Sequence, residues 1–333
     1  MPPQSPKTAG DRGFFKSAAR LLAPLVVLVL MAIFFAWITG GRYLQPNSLT
    51  DIGQQAAIIV IVGIGQTLVI IAGGIDLSVG AVVAFSGSLA AVLILEAGFH
   101  PMAAAAIAVL AGGAIGFFNG FTSVKTRVHP FIITLGSMMI FRGLALWLTG
   151  ASNTDLLPET FTGLATGKFP LGPRSEIYVP NILIVYIVVL GVVTHLMLTR
   201  TRVGRYCFAI GSNPESARLS GVNVGRWTTL YFALAGLLFG FGGIVQAARV
   251  GIGQPTIAEG MELEAIAAAV IGGTSLAGGQ GSVGGTIIGA LLMAGLRQGL
   301  RMVGLQPYWQ TVALGAAIVV AVIYDRVSRR STT

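Results

Sequence analysis

Ten predominantly apolar stretches of about 17–25 residues succeed one another along the chain, each long enough to cross the hydrocarbon core of a bilayer as a helix. They lie near 21–39, 53–72, 79–97, 102–123, 130–149, 179–198, 227–248, 261–277, 283–299 and 308–325. The first, second, fifth, sixth, seventh and last are clear spans. The eighth and ninth have soft boundaries because glycine-rich sequence interrupts them. The pattern predicts an all-α fold: a polytopic membrane helix bundle of about ten transmembrane helices. An N-terminal arm (1–20) precedes the transmembrane domain (21–325), and a short tail (326–333) follows it.

Composition sharpens the class. Hydrophobic residues make up 54% and charged residues 10%, where a soluble domain carries about a quarter charged; mean hydropathy is +0.81. The 46 glycines suit closely packed membrane helices, because small residues let backbones approach. The first apolar run is too long for a signal peptide and lacks a small-residue cleavage site, so it is expected to stay as the first helix. Cys207 is the only cysteine, so no internal disulfide is possible.

The net charge of +9 reflects orientation rather than nucleic-acid binding. Lys7, Arg12, Lys16, Arg20, Lys125, Arg127, Arg200, Arg202, Arg205, Arg218, Arg226, Arg326, Arg329 and Arg330 all fall on one side if ten spans start from an inside N-terminus. By the positive-inside rule that side is cytoplasmic, and both termini lie there. Arg42, Lys168, Arg174 and Arg301 fall in outside loops; Arg142, Arg249 and Arg297 lie in or near spans.

Polar islands are few. Between Tyr206 and Trp227, Asn213 can cap a short helix, Pro214 suits its first position, Glu215 faces the positive end of its dipole and Gly221 can end it. A helix of about seven residues does not persist alone in water. It either docks on a partner or rests on its own bundle. The long outside loop, Gly150 to Val179, offers a second short helix from Pro158 with Phe161, Leu164 and Ala165 on one face. That face either lies at the membrane interface, where it can receive an external partner, or packs as part of the loop.

Two glycine-interrupted segments, Gln66–Gly80 and Ile271–Gly285, share Gly-Gly, a polar residue, then Ser-Val-Gly opening the next span. Broken helices at membrane depth need protein or a water-filled cavity to satisfy the freed backbone, and transporters build pathways from them. Tight cytoplasmic turns are the alternative. Candidate pathway residues are Gln66, Asp76, Ser78, Asn119, Thr134, Ser137, Thr274 and Ser275. The neutral groups among them serve equally well as interhelical hydrogen bonds, and Asp76 as a helix cap. Arg142, deep in the fifth span, is expected to face the bundle and find an acid. Glu262 and Glu264 open the eighth span, where acids favour the helix dipole.

No catalytic constellation is present. His100, His129 and His195 lie at span ends or in loops without metal-ligand spacing. No phosphate loop occurs, and Leu276-Ala-Gly-Gly-Gln280 echoes an ATPase signature only by coincidence.

Three blocks carry a resemblance: Gly65–Gly80, Gly211–Gly221 and Glu264–Thr286. Together they resemble the permease subunits of ribose-type bacterial ABC importers, a group with xylose, arabinose and galactofuranose members. The resemblance implies a multi-pass inner-membrane permease that pairs with a second permease subunit, identical or not. It also implies two cytoplasmic ABC ATPases and a periplasmic sugar-binding protein. The chain is then not an enzyme and needs no cofactor of its own, ATP being bound by the partner. The family's coupling pattern falls on Asn213, Pro214, Glu215, Ala217, Ser220 and Gly221. Alternatives are a permease for a nucleoside or branched-chain amino acid, and a secondary sugar transporter, for which Asp76 is the only plausible ion-coupling acid.

Overall fold

The computed structural model describes residues 9–167, 169–170, 178–179 and 181–330; Lys7, Lys168 and Arg174 of the charge pattern lie outside them. The chain is a helical bundle. In order it forms α1 (Ala9–Ile38), a single 3-10 turn (Arg42–Leu44), α2 (Pro46–Ile71), α3 (Val79–Leu95), α4 (Pro101–Thr126) and α5 (Pro130–Leu148). There follow α6 (Glu159–Thr166), β1 (Phe169–Pro170), β2 (Tyr178–Val179), α7 (Asn181–Arg200), α8 (Arg202–Ser212) and α9 (Pro214–Leu219). The last four are α10 (Val224–Val250), α11 (Met261–Ile271), α12 (Val283–Met302) and α13 (Pro307–Arg330). The two strands pair antiparallel over two residues and are the only sheet among the described residues.

Local chemistry sets the helix starts. Proline stands at the first position of α2, α4, α5 and α9, where its missing N–H costs nothing. His100 and His129 accept from the backbone N–H of Met102 and Phe131, which gives both histidines a capping role. Asn223 and Ser282 cap α10 and α12 in the same way.

Six helices are long and apolar enough to cross a membrane: α2, α4, α5, α7, α10 and α12. Shorter apolar helices occupy Pro24–Ile38, Val79–Leu95 and Pro307–Val320. The span expected at 261–277 is different. Its helix, α11, ends at Ile271 after 11 residues, roughly 16 Å of rise, about half a bilayer core. The glycines at 272 and 273 stop it, Gly273 with φ 89°.

Burial ranks the helices. In α2, 89% of the most apolar stretch is buried, against 17% in α5 and 22% in α7, so α2 is the central post. A helix apolar all round belongs in such a position. Trp37, Trp147 and Val188 point apolar surface outward on the periphery.

The tightest helix pair is α4 with α10. Gly112, Gly116 and Gly120, spaced by four, face Phe232, Gly236 and Gly240. A Cβ on Gly116 would stand 2.1 Å from the carbonyl oxygen of Phe232, and one on Gly236 would stand 2.3 Å from that of Gly112. The backbones touch because glycines face one another at the crossing, with Phe232 fitting beside Gly120, the small-residue packing of membrane helices.

The loop helix α6 buries Phe161 and Ala165 and half-buries Leu164. They pack with Leu183 of α7 and Ile244 and Val245 of α10 in one apolar cluster. Of the two readings of that loop, packing on the bundle is the one realised.

Candidate functional site

The polar island of 206–227 projects from one end of the bundle. Helix α8 buries Gly204, Cys207 and Ile210, spaced by three, and exposes Arg202 and Arg205, as an amphipathic helix lying on a bundle end must. Helix α9 follows at once. Asn213 Oδ1 accepts from the Ser216 N–H at 2.9 Å, and Pro214 occupies the first turn. Glu215 pairs with Arg218 at 2.7 Å on the exposed face. The Ser220 hydroxyl donates to the carbonyl of Ser216.

Gly221 takes φ 84°, and the Val222 N–H returns to the carbonyl of Ala217. That left-handed closure is the reason for a glycine there. Of the helix proper only Ala217 is buried; Leu219 is 80% exposed.

The root of this element is where three backbones meet. A Cβ on Gly211 would lie 1.7 Å from the carbonyl oxygen of Ile71 and 2.5 Å from the amide nitrogen of Gly279. The Gly279 N–H donates to that same Ile71 carbonyl at 2.8 Å. A Cβ on Gly278 would come within 2.7 Å of the Gly211 carbonyl oxygen and 3.1 Å of the Gly73 Cα. Both glycine-interrupted segments therefore abut the base of α9. Contacts this close require glycine on every side.

The first interrupted segment is no tight turn. After α2 stops at Ile71, with Gly73 at φ 86°, residues 74–78 run without helix. They pass back beside α2, so that Asp76 lies opposite Gln66, five residues or roughly 8 Å inside the helix end. The donors and acceptors of the Asp76 backbone assign the Gln66 carboxamide orientation: with its nitrogen toward the Asp76 carbonyl it donates there at 3.2 Å and accepts from the Asp76 N–H at 3.3 Å. The Thr134 hydroxyl of α5 accepts from the Leu77 N–H at 3.1 Å and lies 3.4 Å from the Ile75 carbonyl. Asp76 Oδ1 accepts from both the N–H and the hydroxyl of Ser78, at 2.7 and 2.6 Å. Asn119 Nδ2 of α4 donates to the Ser78 hydroxyl at 3.0 Å.

Five of the eight candidate pathway residues thus form one network joining α2, α3, α4 and α5. Their hydrogen bonds satisfy the freed backbone, which membrane depth demands. Ser137 is buried on α5, and its hydroxyl has no partner.

Thr274 and Ser275 sit apart, in the second interrupted segment. There the Ser275 N–H donates to the Gln280 carbonyl at 2.9 Å, and the Ser275 hydroxyl accepts from the Ala277 N–H at 3.2 Å. All eight side chains are at most 2% exposed. At that burial none of the eight is open to a solute in this structure.

Two charged positions differ from expectation. Arg142 makes no ion pair among the described residues. Its guanidinium donates to the carbonyls of Pro255 and Ile257 at 3.0 and 2.8 Å, in the irregular run preceding α11. Backbone oxygens freed by the short eighth helix serve in place of an acid. Glu264 is more than a dipole-facing acid: it is buried and paired with Arg297 of α12. Sequence alone placed these two in different spans with nothing to join them.

The arrangement is that of a multi-pass membrane protein: a bundle with an apolar periphery, two broken helices within it, and a short exposed helix whose base abuts both breaks. Comparison with known proteins gives the family. Residues 48–322 match the family described as branched-chain amino acid transport system / permease component, and the chain belongs to it. The ribose import permease of Escherichia coli (strain K12) is 36% identical over 324 residues, covering 96% of this chain and 98% of the relative. That of Bacillus subtilis (strain 168) is 37% identical over 325 residues, covering 96% and 97%. The D-allose transport system permease of E. coli K12 is 36% identical over 301 residues, 90% of each chain. No solved structure matches. The chain is a transmembrane permease component of the bacterial inner membrane.

Proposed function

We propose that this permease carries a monosaccharide inward as one of two permease subunits, driven by two cytoplasmic ABC ATPases and fed by a periplasmic sugar-binding protein. The observation that carries the reading is α9, a capped, outward-held helix whose base abuts both broken segments at Gly73, Gly211 and Gly278. A push on α9 is transmitted through backbone, with no side chain to absorb it. Asn213, Pro214, Glu215, Ala217, Ser220 and Gly221 form the coupling element, and the breaks at 72–78 and 272–282 are the moving parts of alternating access. Gln66, Asp76, Ser78, Asn119, Thr134, Ser137, Thr274 and Ser275 then line the path when it opens.

In this reading both termini are cytoplasmic and the chain crosses ten times. The eighth crossing is completed by the irregular run before α11. ATP is bound by the partner alone. The sugar assignment is supported by relatives matched over nearly their whole length, which are named for ribose and allose. The family's description names branched-chain amino acids, and uptake of those solutes is the comparison to run beside the sugars.

The test is the double variant Glu215→Arg with Gly221→Pro in the assembled importer. Proline cannot adopt φ 84°, and the arginine would face Arg218 with like charge. Loss of both ATPase binding and ATP-driven uptake is expected. Survival of both would reject the coupling role. Uphill uptake by the isolated chain in proteoliposomes would instead identify a secondary transporter.

A further inference from the structure

At the other end of the bundle from α9, a cavity of about 180 Å³ opens between α2, α10, α11 and α12. Six polar side chains line it: Gln55, Gln246, Arg249, Glu264, Arg297 and Arg301. Gln55 lies 16 residues before Ile71, roughly 24 Å along α2 from the docking end. The arginines stand near helix ends, where long basic side chains reach water, but Glu264 is a buried acid of the kind that marks solute paths or proton relays. This set is also incomplete. Gln55 is only 9% exposed, yet its Nε2 has no partner, and neither has Gln246 Oε1. Glu264, 7% exposed, is held by Arg297, which is shared with a second cavity of about 510 Å³ that also includes Arg301 and continues to α13.

We infer that this cavity is a transit site for one uncharged aldose on the outer half of the path. The inference rests on the sugar-import reading and adds a location and a chemistry to it. Every sugar hydroxyl both donates and accepts, and the lining offers both. The Gln55 amide and the guanidiniums of Arg249 and Arg301 donate, while Gln246 Oε1 and the Glu264 carboxylate accept. Ile58, Ile59 and Met261 supply an apolar wall for ring C–H groups. Glu264 together with Asp51, which lies 3.5 Å from Gln298 Nε2 beside the cavity, offsets two of the three guanidinium charges. One guanidinium charge is left over, so the choice of an uncharged solute rests on the mixture of donors and acceptors, and D-glucuronate is the charged competitor to test. Gln55 Nε2 and Gln246 Oε1 are closed off from water in this structure; a turn of each side chain would bring them to an entering sugar, and the cost of that turn suits the weak binding of a conduit.

The assembled importer in proteoliposomes, given radiolabelled D-ribose, D-allose and D-xylose, provides the first readout. Gln55→Leu and Gln246→Leu keep side-chain volume and remove the amides. Uptake per ATP hydrolysed is expected to fall about tenfold in each; unchanged uptake in both overturns the inference. The second readout needs no ATP. Gln246→Cys, or Arg301→Cys at the exposed rim, is labelled by a small charged methanethiosulfonate. Native Cys207, fully buried, adds no background. Aldose at roughly 100 mM, suited to a millimolar site, is expected to slow labelling. Absence of protection by all three aldoses, or protection by D-glucuronate alone, overturns the inference. Protection without ATP-driven uptake keeps the site and rejects the importer reading.

Discussion

Replacing Gly211 by alanine tests the meeting of the three backbones most directly. The added Cβ would stand 1.7 Å from the Ile71 carbonyl oxygen and 2.5 Å from the Gly279 nitrogen. Both are main-chain atoms, so neither can swing aside like a side chain. An ordinary contact needs the Ile71 carbonyl to retreat by well over an ångström, which breaks the 2.8 Å bond from Gly279. Overpacking costs about 1–3 kcal/mol, and the lost hydrogen bond about 0.5–1.5 kcal/mol. The better helix propensity of alanine in α8 returns at most about 1 kcal/mol. The balance is a loss of about 2 kcal/mol, on the order of 5 °C in the melting midpoint of the purified permease in detergent. Gly163→Ala in α6, with open space around its Cβ, is the matched control and should melt at or slightly above the parent. Because the clash sits at the base of α9, sugar moved per ATP hydrolysed should fall further than stability alone explains. If Gly211→Ala melts with the control and couples normally, the docking helix is not seated on the two breaks and the transmission argument fails.

Three further outcomes follow from the same geometry. Gly116→Leu drives a side chain into the Phe232 carbonyl 2.1 Å away and should cost about 3 kcal/mol or more; normal accumulation in membranes and an unchanged melting midpoint would count against the α4–α10 contact. Asp76→Asn keeps an oxygen for both Ser78 bonds and should preserve uptake within about 1 kcal/mol of stability. Asp76→Leu strands the Ser78 donors at about 1–3 kcal/mol each. Abolished uptake in the asparagine variant at full stability would point to a proton-carrying role. Finally, Cys207 is buried among α2 and α10 residues, and burial pushes its thiol up to about 12. With roughly one thiolate in ten thousand at pH 8, maleimide labelling of the folded protein should be negligible and should rise on unfolding; rapid labelling of the native protein would refute the burial of α8.

How much was legible in advance differs from element to element. The caps of α9 could be read residue by residue, because Asn213, Pro214 and Gly221 act on their immediate neighbours. The apolar runs placed the starts of α4 and α5 within a residue, near 102 and 130, whereas α2 begins at Pro46, seven residues ahead of the expected 53, because its first two turns are polar. Arg142 was misjudged because a guanidinium in a span suggests a carboxylate partner. The carbonyls that accept its hydrogen bonds are free to do so because the run before α11 is not helical. Gln66, Thr134 and Asn119 were recognisable as polar groups in apolar runs, but their targets lie on another segment, the backbone of 75–77 for Gln66 and Thr134 and the Ser78 hydroxyl for Asn119, up to 59 residues distant in sequence. Gln55 and Gln246 carried no signal at all, since nothing local distinguishes a glutamine that faces a cavity from one that faces a neighbouring helix.

Apolar run lengths, the placement of lysine and arginine, and the local chemistry of prolines, asparagines and glycines were enough for the sequence by itself to determine a polytopic membrane helix bundle with a short capped helix among its polar islands; the three motif blocks added the resemblance to a permease family. These are properties of single helices and their solvent, fixed within a turn or two of chain. Tertiary structure alone decided that the eighth helix stops halfway, that the first break folds back along α2, and that Glu264 meets Arg297. It also brought Gly73, Gly211 and Gly278 to one point. Such pairings depend on which helix surfaces can approach closely enough to touch, and that is a property of the whole packed bundle.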